Sequence, residues 1–99
     1  MNTAGRAEEA TALLEEAAHL AETVPQFTAR SAAFNELVKR FAESGQTARA
    51  RSLALENLQI IRQIRDESSR AVALAALSEI YKTNNFELTD PEKTIVQAI

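Results

Sequence analysis

Apolar residues recur along this chain at helical spacing, in four long stretches and one short one. The first predicted helix runs from about Gly5 to Thr23, with Ala10, Leu13, Leu14, Ala17, Leu20, Ala21 and Val24 as its stripe. Pro25 ends it, because proline lacks an amide donor and disfavours a helical residue before it. The second runs from about Thr28 to Glu43, with Phe34, Leu37, Val38 and Phe41 on its stripe. Ser44-Gly45-Gln46 stops it, Gly45 suiting a left-handed cap. The third, from about Thr47 to Ile64, carries Ala50, Leu53, Ala54, Leu58, Ile61 and Ile64. Asp66-Glu67-Ser68 then reads as a turn whose acids suit the start of the next helix. The fourth, from about Ser68 to Thr83, carries Ala73, Leu74, Leu77 and Tyr81, and Asn84-Asn85 ends it because asparagine tolerates the left-handed region. Thr89-Asp90-Pro91-Glu92 has the residues of a helix start, which makes Ile95, Val96 and Ile99 one face of a short terminal helix. No run alternates apolar and polar residues, so the predicted class is all-α.

The stripes repeat. Offset by forty residues, Ala10 meets Ala50, Leu13 meets Leu53, Leu20 meets Ile60 and Val24 meets Ile64. Arg30 meets Arg70, Ala33 meets Ala73, Phe34 meets Leu74, Leu37 meets Leu77 and Phe41 meets Tyr81. The register predicts two units, about 5–44 and 45–84, within a single domain over 1–99, followed by a capping helix over about 90–99. The expected core is Leu13, Leu14, Ala17, Leu20, Phe34, Leu37, Phe41, Leu53, Leu58, Ile61, Leu74, Leu77 and Tyr81.

Phe34, Leu37, Phe41, Gly45, Ala50 and Ala54 stand at spacings that resemble a tetratricopeptide repeat (TPR). Large residues occupy one helix, a glycine-containing turn follows, and small residues in the next helix let the pair approach closely. The first helix resembles the second half of such a unit through Ala10, Leu14 and Ala17, and the fourth resembles a first half through Leu74, Leu77 and Tyr81. The period is forty residues here, against about 34 in the family. The resemblance implies a short right-handed TPR-like array of antiparallel helical hairpins, four main helices plus the terminal one. An ordinary four-helix bundle is the alternative architecture. The resemblance also implies a concave groove lined by the first helix of each hairpin. Carried over by spacing, its residues are Ala32, Asn35, Lys39 and Ala42 on the second helix and Val72, Ala75, Glu79 and Lys82 on the fourth. Asn35, Lys39, Val72, Glu79 and Lys82 are the candidate partner-binding residues. Ala75 and Ala76 supply none of the further basic residues that a clamp for a peptide carboxylate requires.

Composition narrows the chemistry. Of the 99 residues 45% are apolar, but alanine dominates them and only five are aromatic, which suits closely packed helices around a shallow core. There is no cysteine, hence no disulfide framework, thiol nucleophile or thiolate metal site. No apolar run approaches the roughly 20 residues of a membrane span and no signal peptide opens the chain, so a cytoplasmic location is expected. Net charge is −3, which argues mildly against a nucleic-acid partner. The charge is uneven: residues 1–29 carry −4, residues 30–70 carry +3 and residues 71–99 carry −2. Arg49, Arg51, Arg62, Arg65 and Arg70 could contact phosphate, but no aromatic residues interleave with them as a single-strand platform needs. His19 is the only histidine, and the adjacent carboxylates Glu8-Glu9, Glu15-Glu16 and Asp66-Glu67 point about 100° apart on a helix. Neither pattern makes a catalytic or metal site, and no cofactor is expected.

Two positions stand out. Asn57 interrupts the third stripe and is expected at its edge or bonded to a neighbouring turn, with an interface device as the alternative. Val72, Ala76 and Ile80 add an apolar face to the fourth helix, and the terminal helix is its expected cover. The functional expectation is a non-enzymatic protein–protein interaction module that presents its groove to a peptide or helix of a partner. A structural homo-oligomer, a homodimer in its simplest form, is the rival.

Overall fold

Each stop signal in the chain becomes a reversal of direction. A computed structural model describes the backbone of residues 3–99 and the side chains of residues 8–99, so the domain expected over 1–99 is seen from Thr3 onward. Its helices are α1 (Thr3–Ala21), α2 (Phe27–Glu43), α3 (Thr47–Arg62), α4 (Glu67–Thr83) and α5 (Asp90–Ala98). Among the described residues there is no strand. The array measures 49 × 29 × 18 Å, thin enough that several helices keep one face open.

The forty-residue repeat is written into the backbone as well as the side chains. The amide of Gln46 donates to the Phe41 carbonyl at 2.9 Å, and the amide of Phe86 donates to the Tyr81 carbonyl at 2.8 Å. Gly45 (φ 81°) and Asn85 (φ 56°) occupy the left-handed position inside these two loops. This is the Schellman arrangement, in which a left-handed residue lets the following amide satisfy a carbonyl of the last turn. The starts of α2 and α4 match too. Arg30 Nε donates to the Val24 carbonyl at 2.7 Å, and Arg70 donates to the Ile64 carbonyl at 2.9 Å. Each arginine satisfies an acceptor just past the end of the preceding helix, which would otherwise be left open. Asp66 caps α4 by accepting from the Ser69 amide at 2.8 Å.

The core centres on α2 and α3, the most closely packed pair. Phe34, Leu37, Val38 and Phe41 of α2 and Ala50, Leu53, Ala54, Leu58 and Ile61 of α3 are all buried. Ala50 and Ala54 let the helices approach, and the large α2 residues fill the grooves between them. Leu77 and Tyr81 of α4 complete the core as expected, and Leu74 is half-buried against it.

The structure corrects the expected core in α1. Leu13 and Leu20 are 67% and 60% exposed, and Ala17 is exposed beside them; Ala18 and Ala21 are the buried residues. The small side chains let α1 sit close to α2, and no other described helix packs on the Leu13–Leu20 side. Leu53 and Ile60, forty residues later, are buried because that same face of α3 is covered by α2.

A second correction concerns α5. It packs on α3 and does not cover Ile80, which lies with Lys39 and Glu79 between α2 and α4. The reason is Glu92, whose hydrogen bonds to Arg51 and Tyr81 hold the first turn of α5 over the start of α3.

Candidate functional site

The second helix of a hairpin covers one side of the first, so the opposite sides of α2 and α4 are left facing one another. Between them runs a shallow cleft. At one end Thr28, Ala32 and Asn35 face Ser68, Ser69, Val72, Ala73 and Ala76 across a depression of about 320 Å³. At the other end Lys39 and Glu43 face Glu79, Ile80, Thr83 and Asn84 across about 260 Å³. Small side chains at Ala32, Ala73 and Ala76 leave this space unfilled, and Val72 is 70% exposed at its margin.

The cleft gathers four of the five candidate residues. Asn35 and Val72 line one end, and Lys39 and Glu79 line the other. Lys82 does not join them. It lines a separate hollow on the far side of α4. Ala32 falls on the cleft wall, as the groove assignment expected.

Asn57 supports the cleft from α3. It is wholly buried, not at a stripe edge, and its Nδ2 donates to Asn35 Oδ1 at 2.7 Å. The bond joins α2 to α3 and fixes how the Asn35 amide is presented at the cleft. The Asn57 Oδ1 and the buried Ser31 Oγ have no hydrogen-bond partner.

The second hollow, about 260 Å³, is more apolar. Leu58, Leu74, Leu77, Tyr81, Phe86, Leu88 and Val96 form most of its lining, with Ser78 and Lys82 on α4. Sequence reasoning passed over Phe86 and Leu88 because they belong to no helical stripe. Two large apolar residues just after a left-handed cap were the available signal, since such a cap is often closed by a hydrophobic contact. The Phe86 ring stacks edge-on against Tyr81 with centroids 5.6 Å apart.

Beside this hollow lie two hydrogen-bonded groups, Glu92 and Tyr81, that titrate away from their ordinary ranges. Glu92, 3% exposed, accepts from Tyr81 Oη, from Arg51 at 3.1 Å and from Thr89 Oγ1 at 2.8 Å. Burial pushes its carboxyl up, but the hydrogen bonds from Tyr81, Thr89 and Arg51 together outweigh that and hold it below its ordinary range. Burial, then the Glu92 carboxylate, pushes the Tyr81 phenol well above its usual range. Arg51 also lies over the Phe86 ring, 5.1 Å from its centroid, and donates to the Glu87 carbonyl. The sequence marks Glu92 as a helix-start residue; its bonds joining α5 to α3 and α4 depend on residues distant in sequence.

Three of the arginines considered as phosphate contacts are engaged within the fold. Arg49 pairs with Glu15 of α1 at 2.7 Å, Arg51 with Glu92, and Arg70 with backbone carbonyls. The hydrogen bond that Arg49 donates to Glu15 raises the Arg49 pKa further. Arg62 and Arg65 are exposed at the end of α3, and His19 is exposed on α1. Among the described residues no three His, Cys, Asp or Glu side chains gather as metal ligands, and no helix is long and apolar enough to cross a membrane.

No protein-family model, curated protein or solved structure matches this chain. The likeness to a tetratricopeptide repeat therefore stands on the residue spacing alone.

Proposed function

We propose that this chain is a non-enzymatic protein–protein interaction module whose α2–α4 cleft receives a peptide segment of a partner protein. The observation that carries the reading is the cleft itself: small residues leave it open, and Val72 stays 70% exposed at its edge. An exposed β-branched residue beside unfilled space suits an apolar side chain of a ligand. Lys39 and Glu79 add one charge of each sign at the far end, which selects orientation more than affinity. The Asn35 amide, anchored by Asn57, offers a fixed hydrogen-bonding edge for a peptide backbone. The resemblance to a TPR, which implies peptide binding in a groove lined by these helices, supports the same reading.

The test is selection of peptides from a displayed library, followed by titration calorimetry of the winners. Ala76→Arg fills the cleft from an exposed position, and Lys39→Glu reverses one charge. Selected peptides should lose at least tenfold in affinity for Ala76→Arg, with a smaller loss for Lys39→Glu. Peptides that bind both variants as well as the unaltered chain would place the site elsewhere and end this reading.

A further inference from the structure

The forty-residue repeat leaves two half-built interfaces at opposite ends of the array. Only α2 and α3 form a complete hairpin. There Leu53 and Ile60 are buried on α3, and Asn57 between them reaches Asn35 on α2. Forty residues earlier α1 repeats that face as Leu13, Ala17 and Leu20, but among the described residues no helix covers it, and the two leucines are 67% and 60% exposed. Forty residues after α2, α4 repeats the opposing face: Phe34, Leu37, Val38 and Phe41 become Leu74, Leu77, Ser78 and Tyr81. Here the cover is partial. α5 has nine residues against sixteen in α3, and it is pinned at the Tyr81 end through Glu92. The hollow of about 260 Å³ stays open above Leu74, Leu77 and Ser78, with Val96 and Leu88 at its margin.

We propose that these two surfaces meet between copies of this chain. The Leu13–Ala17–Leu20 ridge of one copy seats in the hollow beside α4 of the next, head to tail. A ridge entering a groove is the ordinary geometry of helix packing. Two observations select a second copy as the occupant. First, ridge and hollow are the separated halves of a contact that the chain already makes once, between α3 and α2. Second, the charges are complementary. Glu9 and Glu16 lie one helical turn from the ridge leucines and are exposed. The hollow carries Lys82, which makes no ion pair among the described residues. Packing α1 against α1 would instead bring those carboxylates together, and like charges at such distances are unfavourable. The contact joins unlike surfaces, so it is heterologous and does not close on itself as a two-fold dimer. Association therefore grows stepwise with concentration. It uses neither Asn35 nor Val72 and stands or falls independently of the cleft.

Sedimentation equilibrium from micromolar to millimolar protein tests this directly. The unaltered chain should rise from 10.9 kDa through dimer to larger species. A ridge variant, Leu13→Glu with Leu20→Glu, and a hollow variant, Ser78→Glu with Leu88→Glu, change only exposed residues. Circular dichroism should show both folded. Each variant alone should remain monomeric, because each lacks one half of the contact. An equimolar mixture should form a one-to-one dimer and stop there, since it retains one intact ridge and one intact hollow. A chain that stays monomeric to millimolar concentration overturns the proposal. So does a ridge variant that still associates, a hollow variant that forms dimers by itself, or a mixture that remains monomeric.

Discussion

Asn57 donates to Asn35 across the α2–α3 interface at 2.7 Å, while its own Oδ1 is buried with no partner. The amide thus gains one hydrogen bond and leaves one acceptor unsatisfied. A net hydrogen bond is worth about 1 kcal/mol and an unsatisfied buried group costs about 1–3 kcal/mol. Alanine occupies the equivalent place at position 17 in the preceding helix. Asn57→Ala should therefore change stability by only about 1 kcal/mol, because losing the bond and removing the orphan acceptor offset each other. Asn57→Asp should cost more than about 2 kcal/mol, since a buried carboxylate would face the Asn35 oxygen without a counter-charge. Urea unfolding of the two variants checks both. Equal losses would mean that the amide bond does not distinguish them.

Glu92 connects acidity to the docking of α5. Its folded-state carboxyl titrates below its ordinary value of 4.5, despite the opposing effect of burial. A lowered carboxyl stabilises the fold fully above its unfolded-state value, and that stabilisation is lost as pH falls through the folded-state value. The stability difference between the unaltered chain and Glu92→Gln should thus be constant near neutrality and shrink below pH 4.5. Unfolding free energies measured from pH 7 to pH 3 provide the comparison. A difference independent of pH would show that the Glu92 charge carries none of the docking.

Tyr81 offers a second handle on the same contact. Tyr81→Phe keeps the ring packed against Phe86 and removes only the hydroxyl that donates to the carboxylate. Hydrogen bonds to charged groups contribute about 1.5–3 kcal/mol, so the variant should lose stability in that range. Amide exchange should rise first in α5. Uniform loss of protection across all five helices would show that α5 does not open separately.

The two left-handed caps should respond in opposite directions. Gly45 has φ 81°, and a Cβ added there meets nothing within 4 Å. Gly45→Ala should cost about 1–2 kcal/mol through backbone strain alone. Asn85 has φ 56°, a conformation in which glycine is unstrained, so Asn85→Gly should be neutral or slightly stabilising. Thermal melts settle the sign at each site.

Leu13 and Leu53 are repeat equivalents with opposite surroundings, 67% and 0% exposed. Leu53→Ala should cost about 2–5 kcal/mol by opening a cavity in the α2–α3 core. Leu13→Ala, measured in dilute monomeric protein, should stay within about 0.5 kcal/mol of the unaltered chain. Similar losses at both positions would show that α1 buries its leucines.

The resemblance to a TPR, carried onto this sequence, implies a groove that includes Asn35, Lys39, Val72 and Glu79, and all four line the α2–α4 cleft. The same resemblance assigns Lys82 to the groove, but Lys82 and Glu79 line different hollows on α4. The apolar hollow escaped notice because its lining comes from α3, α4, α5 and the loop between α4 and α5. No periodicity within one segment reports such a meeting.

Where the helices begin and end is legible from local signals along the chain. Pro25, Gly45, Asp66, Asn85 and Thr89 act through local backbone geometry and capping, which need no distant partner. The repeat is legible too, down to the paired arginines at positions 30 and 70. Which face of α1 is covered and where α5 docks depend instead on contacts between helices distant in sequence. An alanine-rich helix presents apolar residues on more than one side, so the neighbour decides which side is buried. Among the described residues α1 packs on α2 alone, so Ala18 and Ala21, which face α2, are buried while Leu13 and Leu20 lie open. The position of α5 follows from one buried carboxylate that finds its donors on two other helices.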